Sequence, residues 1–199
     1  MEDILHMDIS AGIVLFNPDI ERLKENIDAV IVQCTHVYLV DNGSKNISEV
    51  LEMLNGFNFS QFSVILNSEN QGIAKALNQL TIAAQKDGYE WILTLDQDSV
   101  SPSNIIGEFE NYTAYQNVGM LCPVIYDRNK GEEIKAKEGC TEIDECITSG
   151  SLLNIEAWNN IGGFDENMFI DGVDFDICYR LRQNGYKILC IQSVVLPVS

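Results

Sequence analysis

The 199-residue sequence predicts an α/β fold, one domain built on a mostly parallel central sheet flanked by helices. Three observations carry that expectation. Short apolar runs alternate with segments of helical period, and strands joined through single helices call for right-handed parallel crossovers. No internal repeat and no linker divides the chain. With 46% hydrophobic and 9% aromatic residues, it can bury a substantial core.

The elements follow in order. Residues 9–16 (ISAGIVLF) form an apolar run and are expected to be a buried strand. Asn17-Pro18-Asp19 then offers a capping side chain, a proline for the first helical position and an acid for the first turn. The helix expected next carries Ile20, Leu23, Ile27, Val30 and Ile31 on one stripe. Residues 37–40 make a second strand ending in Asp41-Asn42-Gly43-Ser44, followed by a short helix through Val50, Leu51 and Leu54. A third strand spans 62–66. The clearest helix covers 72–86, with Ile73, Ala76, Leu77, Leu80 and Ala84 on one face and Gly88 placed to end it. A fourth strand, 91–95, stops at Asp96-Gln97-Asp98-Ser99. Pro102 is expected to open a further helix, and 118–126 to return as a strand. Residues 128–148 are charged, contain glycine and lack helical period, so a loop or hairpin is expected there. A short helix over 155–161, a Gly162-Gly163 turn, a longer helix over 174–184 and a strand over 187–196 complete the reading.

Charge narrows the function classes. Thirty Asp plus Glu face twelve Lys plus Arg, a net charge of -18. Such a surface repels polyphosphate and anionic membranes, so nucleic acid is not an expected partner. A divalent cation would invert the sign locally, which keeps a metal-bridged anionic ligand open. The six cysteines contain no C-x-x-C pair, and His6 and His36 stand in no ligand-like spacing, so reduced, free thiols are expected. The start, MEDILHMD, has neither a basic nor an apolar signal region, and no apolar run reaches the roughly 18 residues of a membrane span. The expected location is cytoplasmic, peripheral to the inner face of the plasma membrane if the full-length protein meets a lipid-linked acceptor.

In open α/β sheets, ligands bind beyond the carboxyl ends of the strands. Here those ends carry Phe16-Asn17, Asp41-Asn42-Gly43-Ser44 and Asp96-Gln97-Asp98-Ser99. Singly, such residues are turn formers or caps; together they line a crevice. Neither G-x-G-x-x-G nor G-x-x-x-x-G-K-[ST] is present, so a diphosphate held here would need a metal. Asp96 and Asp98 suit Mg2+ or Mn2+, which take oxygen ligands. A second acidic group, Asp171, Asp174 and Asp176, precedes a helix bearing Arg180. Asp174 is either a helix cap favoured by the dipole or a general base. Arg180 either pairs with a nearby acid or contacts a phosphate or the base.

The ordered set Val14-Leu15-Phe16-Asn17-Pro18, Val40-Asp41-Asn42-Gly43-Ser44, Asn70-Gln71-Gly72-Ile73-Ala74, Leu95-Asp96-Gln97-Asp98-Ser99 and Gly162-Gly163-Phe164-Asp165-Glu166 resembles glycosyltransferase family 2. The D-Q-D-S form and Phe169-Ile170-Asp171-Gly172-Val173-Asp174 look most like its bacterial rhamnosyltransferases. The resemblance implies a GT-A fold and a metal-dependent, inverting transfer of a hexose-type sugar. The donor would be a nucleotide-diphosphate sugar, dTDP-L-rhamnose, and the acceptor a glycan or lipid-linked glycan of the cell surface. It places Phe16, Asn17, Asp41, Asn42, Asn70, Gly72, Asp96 and Gln97 around the donor, with Asp41 on the nucleobase and Asn17 beside the nucleoside. Asp98, with Asp96, would hold Mg2+ or Mn2+, and Asp174 would be the base. Trp158, Asp165 and Glu166 would border the acceptor, Trp158 serving either core packing or sugar stacking.

Two departures stand out. Many members carry Glu-Asp where this chain has Val173-Asp174, which leaves Asp171 and Asp176 as nearby substitutes for the base. Members also continue into a segment with a His ligand, so this domain is expected to lack the family's C-terminal extension. Leu95-Asp96-Gln97-Asp98-Ser99-Val100 also resembles the D-x-D-x-[TV] motif of haloacid-dehalogenase-like phosphatases, with Asp96 as nucleophile. A third reading is a nucleotide-sugar-binding domain without turnover.

Overall fold

The computed structural model describes residues 8–127 and 136–198. The first half alternates strand and helix as the periodicity predicts: β1 (Ile9–Leu15), α1 (Ile20–Ile31), β2 (His36–Asp41), α2 (Ile47–Leu54), β3 (Phe62–Leu66), α3 (Ile73–Lys86), β4 (Trp91–Asp96) and α4 (Ile105–Thr113). The second half is β5 (Val118–Asp127), β6 (Cys140–Ile143), β7 (Ser151–Asn154), α5 (Ile155–Asn160), α6 (Val173–Gln183) and β8 (Lys187–Val198). All eight strands join one sheet in the order β3-β2-β1-β4-β7-β5-β8-β6. Strands β1 to β4 are mutually parallel, as are β5 and β8, while β7 and β6 run antiparallel to their neighbours.

Two apolar layers sandwich the sheet, because alternate strand residues point to opposite faces. On one side Ile13, Leu39 and Leu93 meet Leu23 and Ile27 of α1, Val50 and Leu54 of α2 and Phe109 of α4. On the other, Val40 and Ile92 meet Leu77 and Leu80 of α3, Trp158 of α5 and Ile177 and Leu181 of α6. A Cβ at Gly12 would lie 3.0 Å from both Ile92 Cδ1 and Leu80 Cδ1, so glycine lets α3 lie close on β1. All six cysteines are free, and burial pushes the Cys34 thiol up to about 12. Among the described residues no helix is long and apolar enough to cross a membrane.

Several local expectations are corrected. Asp19, not Asn17, caps α1, accepting from the Arg22 amide at 2.9 Å, so Pro18 precedes the helix instead of opening it. Asn17 takes a left-handed conformation (φ 48°), which places it outside the helix. Pro102 likewise stands before α4, which begins at Ile105. Within the segment expected as a loop or hairpin, residues 128–135 lie outside the described part, and Cys140–Ile143 pairs with β8 at the sheet edge. Strand β7 is absent from the sequence reading: four residues are too few to show a period, and their partners on β4 and β5 are distant in sequence. Gly172, at φ 83°, is the N-cap of α6, so Asp174 lies within the first turn and is not the cap.

Candidate active site

Parallel register sets Val14 beside both Val40 and Asp96, and Leu15 beside Asp41, bringing the ends of β1, β2 and β4 to one rim. An open cleft of about 310 Å³ lies there. Its walls include Val14, Phe16, Asn42, Asn70, Ile73 and Ile170, and its acidic end is Asp96-Gln97-Asp98; among the described residues no Lys or Arg lines it. Of the donor-site residues expected from sequence, Phe16, Asn42, Asn70, Asp96, Gln97 and Asp98 therefore share one cavity. Ile73 and Ile170 join them unanticipated; their apolar side chains gave no signal distinct from core residues.

Side-chain amides hold this rim in place. The Phe16 amide donates to Gln97 Oε1 at 2.8 Å and Gln97 Nε2 donates back to the Phe16 carbonyl, so the glutamine ties β1 to the acidic turn. Asn42 Nδ2 donates to Asn70 Oδ1 at 2.9 Å, and the Gly72 amide donates to the same oxygen at 2.9 Å. Gly72 has φ +87°, and an added Cβ would sit 2.8 Å from the Phe169 carbonyl oxygen, which accepts from the Ile73 amide at 2.7 Å. Its role in the structure is thus to let residues 169–170 lie across the start of α3.

Gly72 and two further expected donor residues, Asp41 and Asn17, do not line the cleft. Asp41 is 2% exposed, and its carboxylate accepts from the amides of Gly43 and Ser44, holding the turn that presents Asn42. Asn17 donates its amide to Ser44 Oγ and accepts from the Lys45 amide, bracing β1 against the same turn.

The backbone of Asp96 is fixed on both sides. Its carbonyl accepts from Asn26 Nδ2 of α1 at 2.7 Å, and its amide donates to Ser149 Oγ at 3.0 Å. Arg22 Nε donates to the Asp98 carbonyl at 2.9 Å. Sequence reasoning missed Asn26 and Ser149: Asn26 sits on an otherwise apolar stripe, and a buried Asn there is the signal that was available. Asp174 Oδ1 accepts from the Thr148 amide at 2.9 Å, and no partner for Oδ2 occurs among the described residues.

The Asp96 side chain opens to solvent at the rim, yet lost hydration on its protein side raises the carboxyl above its ordinary 3.8, the charges of Asp98 and then Asp174 add to the rise, and Ser149 opposes it. Asp96 and Asp98 thus line the cleft together, and the charge of Asp174 reaches Asp96. Among the described residues no group of three or more His, Cys, Asp or Glu could hold a metal ion unaided. Mg2+ commonly uses one or two carboxylates plus phosphate oxygens, so Asp96 and Asp98 fit it as a partial shell.

A stability prediction follows from the raised value. Between the ordinary carboxylate pKa and the raised one, the native state binds more protons than the unfolded chain, so stability falls as pH rises through that window. In chelator, the melting midpoint of the wild type should fall further than that of Asp96→Asn as pH rises above the ordinary carboxylate value of about 4. Parallel profiles would contradict the crowding of Asp96.

The expected acceptor residues stand apart from the cleft. Asn78, Phe164, Asp165, Glu166, Asp176 and Arg180 border a second, polar hollow. Trp158 is 6% exposed and donates its indole N–H to Asn78 Oδ1 at 3.1 Å, so core packing replaces the stacking role. Asp165 is held below the usual carboxylate range by the Asn167 backbone and side-chain amides. Arg180 pairs with Asp176 and donates to the carbonyls of Ile161 and Gly163, which makes it a brace and occupies the Asp176 carboxylate.

A mixed, mostly parallel sheet flanked by helices on both faces is consistent with the GT-A architecture. Residues 10–179 match Glycosyl transferase family 2, and the chain belongs to that family. It is 28% identical over 207 residues to "dTDP-rhamnosyl transferase RfbF" of Shigella flexneri, covering 96% of this chain and 68% of that protein. It is 31% identical over 124 residues to "Bifunctional glycosyltransferase pgtA" of Dictyostelium discoideum, covering 58% of this chain and 16% of the relative. Among solved structures, GalNAc-T7 with UDP, GalNAc and Mn2+ superposes at a TM-score of 0.77, with 17% identity over 98% of this chain and 44% of that one. The mannosyltransferase PcManGT of Pyrobaculum calidifontis, with GDP-Man and Mn2+, superposes at 0.76 and 17% identity, over 98% and 57% of the two chains. These likenesses establish the fold. The chain spans about half the length of the two solved structures.

Proposed function

We propose that this chain is the donor-binding and catalytic domain of a metal-dependent, inverting glycosyltransferase that moves L-rhamnose from dTDP-L-rhamnose to a hydroxyl of a cell-surface glycan. The observation that carries the reading is the pairing of Asp96 and Asp98 in one cleft that, among the described residues, no Lys or Arg lines, with the charge of Asp174 near enough to act on Asp96. The rhamnosyl assignment draws on the D-Q-D-S sequence and on the likeness to RfbF.

In this reading the walls formed by Phe16, Asn42, Asn70 and Ile73 receive the nucleoside, and Asp96 and Asp98 face the diphosphate. Bound Mg2+ or Mn2+ would supply Lewis-acid stabilisation of the departing nucleotide diphosphate. The remaining work belongs to the protein. Asp174, with Oδ1 held by the Thr148 amide, directs Oδ2 at the acceptor hydroxyl and takes its proton as that oxygen attacks the anomeric carbon. Bond formation on the face opposite the leaving group inverts the anomeric centre. Ile170 and the segment it belongs to wall the cleft on the side of α6.

The test is donor turnover with water or a sugar alcohol as acceptor. With Mn2+ present, dTDP should be released from dTDP-L-rhamnose at least tenfold faster than UDP from UDP-glucose, about 1.4 kcal/mol of discrimination. A preference for the uridine donor would overturn the rhamnosyl assignment.

A further inference from the structure

Residues 148–151 reach the active site only through hydrogen bonds. None of them lines the cleft, and Thr148, Ser149 and Ser151 are buried. Ser149, 3% exposed, accepts from the Asp96 amide at 3.0 Å and donates to Ser99 Oγ at 2.9 Å. The neighbouring Thr148 amide donates to Asp174 Oδ1 at 2.9 Å. The segment is itself stitched to β4: Thr94 Oγ1 donates to the Thr148 carbonyl at 2.6 Å, and the Gly150 amide donates to the Thr94 carbonyl at 2.7 Å. Gly150 holds a left-handed φ of +77°, and an added Cβ would lie 2.5 Å from Leu196 Cδ2, so the turn calls for glycine here.

One buried turn therefore grips the peptide of Asp96 on β4 with one residue and the carboxylate of Asp174 on α6 with the next. We propose that Ser149 is a positioning residue that fixes Asp96 relative to the base Asp174, with Ser99 orienting its hydroxyl. The proposal rests on the donor-site reading above. It also gives a physical role to the serine of D-Q-D-S: Ser99 is 8% exposed and serves as acceptor for Ser149, leaving the cation to the two aspartates. Because the Asp96 amide and carboxylate belong to one residue, loss of the Ser149 acceptor leaves a polar N–H unpaired, and the acidic turn rotates to rehydrate it.

The experiment measures the Mn2+ concentration that half-saturates dTDP binding, by calorimetry and by the electron paramagnetic resonance of free Mn2+. Losing an outer partner of a metal ligand costs about 10–100-fold in affinity, so Ser149→Ala should raise the half-saturating Mn2+ at least about tenfold. Ser149→Thr, which keeps the hydroxyl, should return it to within about threefold of wild type, a rescue that a general packing defect would not show. If Ser149→Ala does not fold, Ser99→Ala carries the same expectation. Unchanged Mn2+ half-saturation in a folded Ser149→Ala or Ser99→Ala overturns the positioning role. A wild-type protein whose dTDP binding ignores Mn2+ overturns the donor-site reading itself, and the two failures are thereby distinguished.

Discussion

Asp174→Asn should abolish sugar transfer, with a fall of about 10³-fold in turnover, while Mn2+-dependent nucleotide binding persists. The asparagine oxygen can still accept from the Thr148 amide, so the local backbone loses nothing. Its nitrogen replaces the lone pairs that would receive the acceptor proton, and that proton then has nowhere to go. The substitutes left open by the sequence are poorly suited: Asp176 is engaged by Arg180, and Asp171 is exposed on the turn before α6. Measuring kcat alongside dTDP affinity separates the roles, since loss of an interaction made only in the transition state lowers kcat without weakening nucleotide binding. Transfer retained at near wild-type rate would remove Asp174 from the mechanism.

Asp98→Ala should be nearly as damaging, and by a different route. A diphosphate approaching this cleft meets the carboxylates of Asp96 and Asp98, a chain of net charge -18 and, among the described residues, no lining Lys or Arg. Without a cation the electrostatics oppose binding. Loss of even an outer partner of a metal ligand costs about 10–100-fold, and loss of the ligand costs at least as much. Nucleotide affinity in Mn2+ should therefore fall to the level seen in chelator. Asp98 sits in an exposed turn, with its backbone carbonyl held by Arg22, so the substitution should leave the melting midpoint nearly unchanged. Full Mn2+-dependent affinity in this variant would contradict the assignment of the cation to Asp98.

Much of this was legible because the first half of the chain obeys local rules. Strands β1, β2 and β4 each end in a polar cluster, and parallel pairing brings those ends to one rim, so Asp96, Asp98 and Asn42 could be placed together from the order of strands. The second half resisted for a physical reason. Strand β7 contributes only Ser151–Asn154, and its identity depends on pairing with β4 and β5 across long stretches of chain. Hidden with it was the 148–151 turn that touches both Asp96 and Asp174. Asp41 and Trp158 were illegible in another way: both are residue types that bind ligands, and only the structure gives the first a bond to the Ser44 amide and the second a buried place beside Asn78. The phosphatase reading loses its footing in the same geometry, because Asp96 ends the fourth strand in chain order, where that motif belongs after the first.

The most direct test of a cation-assisted nucleotide-diphosphate site is calorimetric titration of dTDP into the protein, with Mn2+ and then with chelator. At a dTDP concentration of about 100 times Kd, the bound form should also be stabilised by roughly 2.7 kcal/mol, visible as a raised melting midpoint. The account predicts one-site binding that requires Mn2+ and prefers dTDP to UDP. Nucleotide binding of equal strength in chelator, or none in either condition, would contradict it.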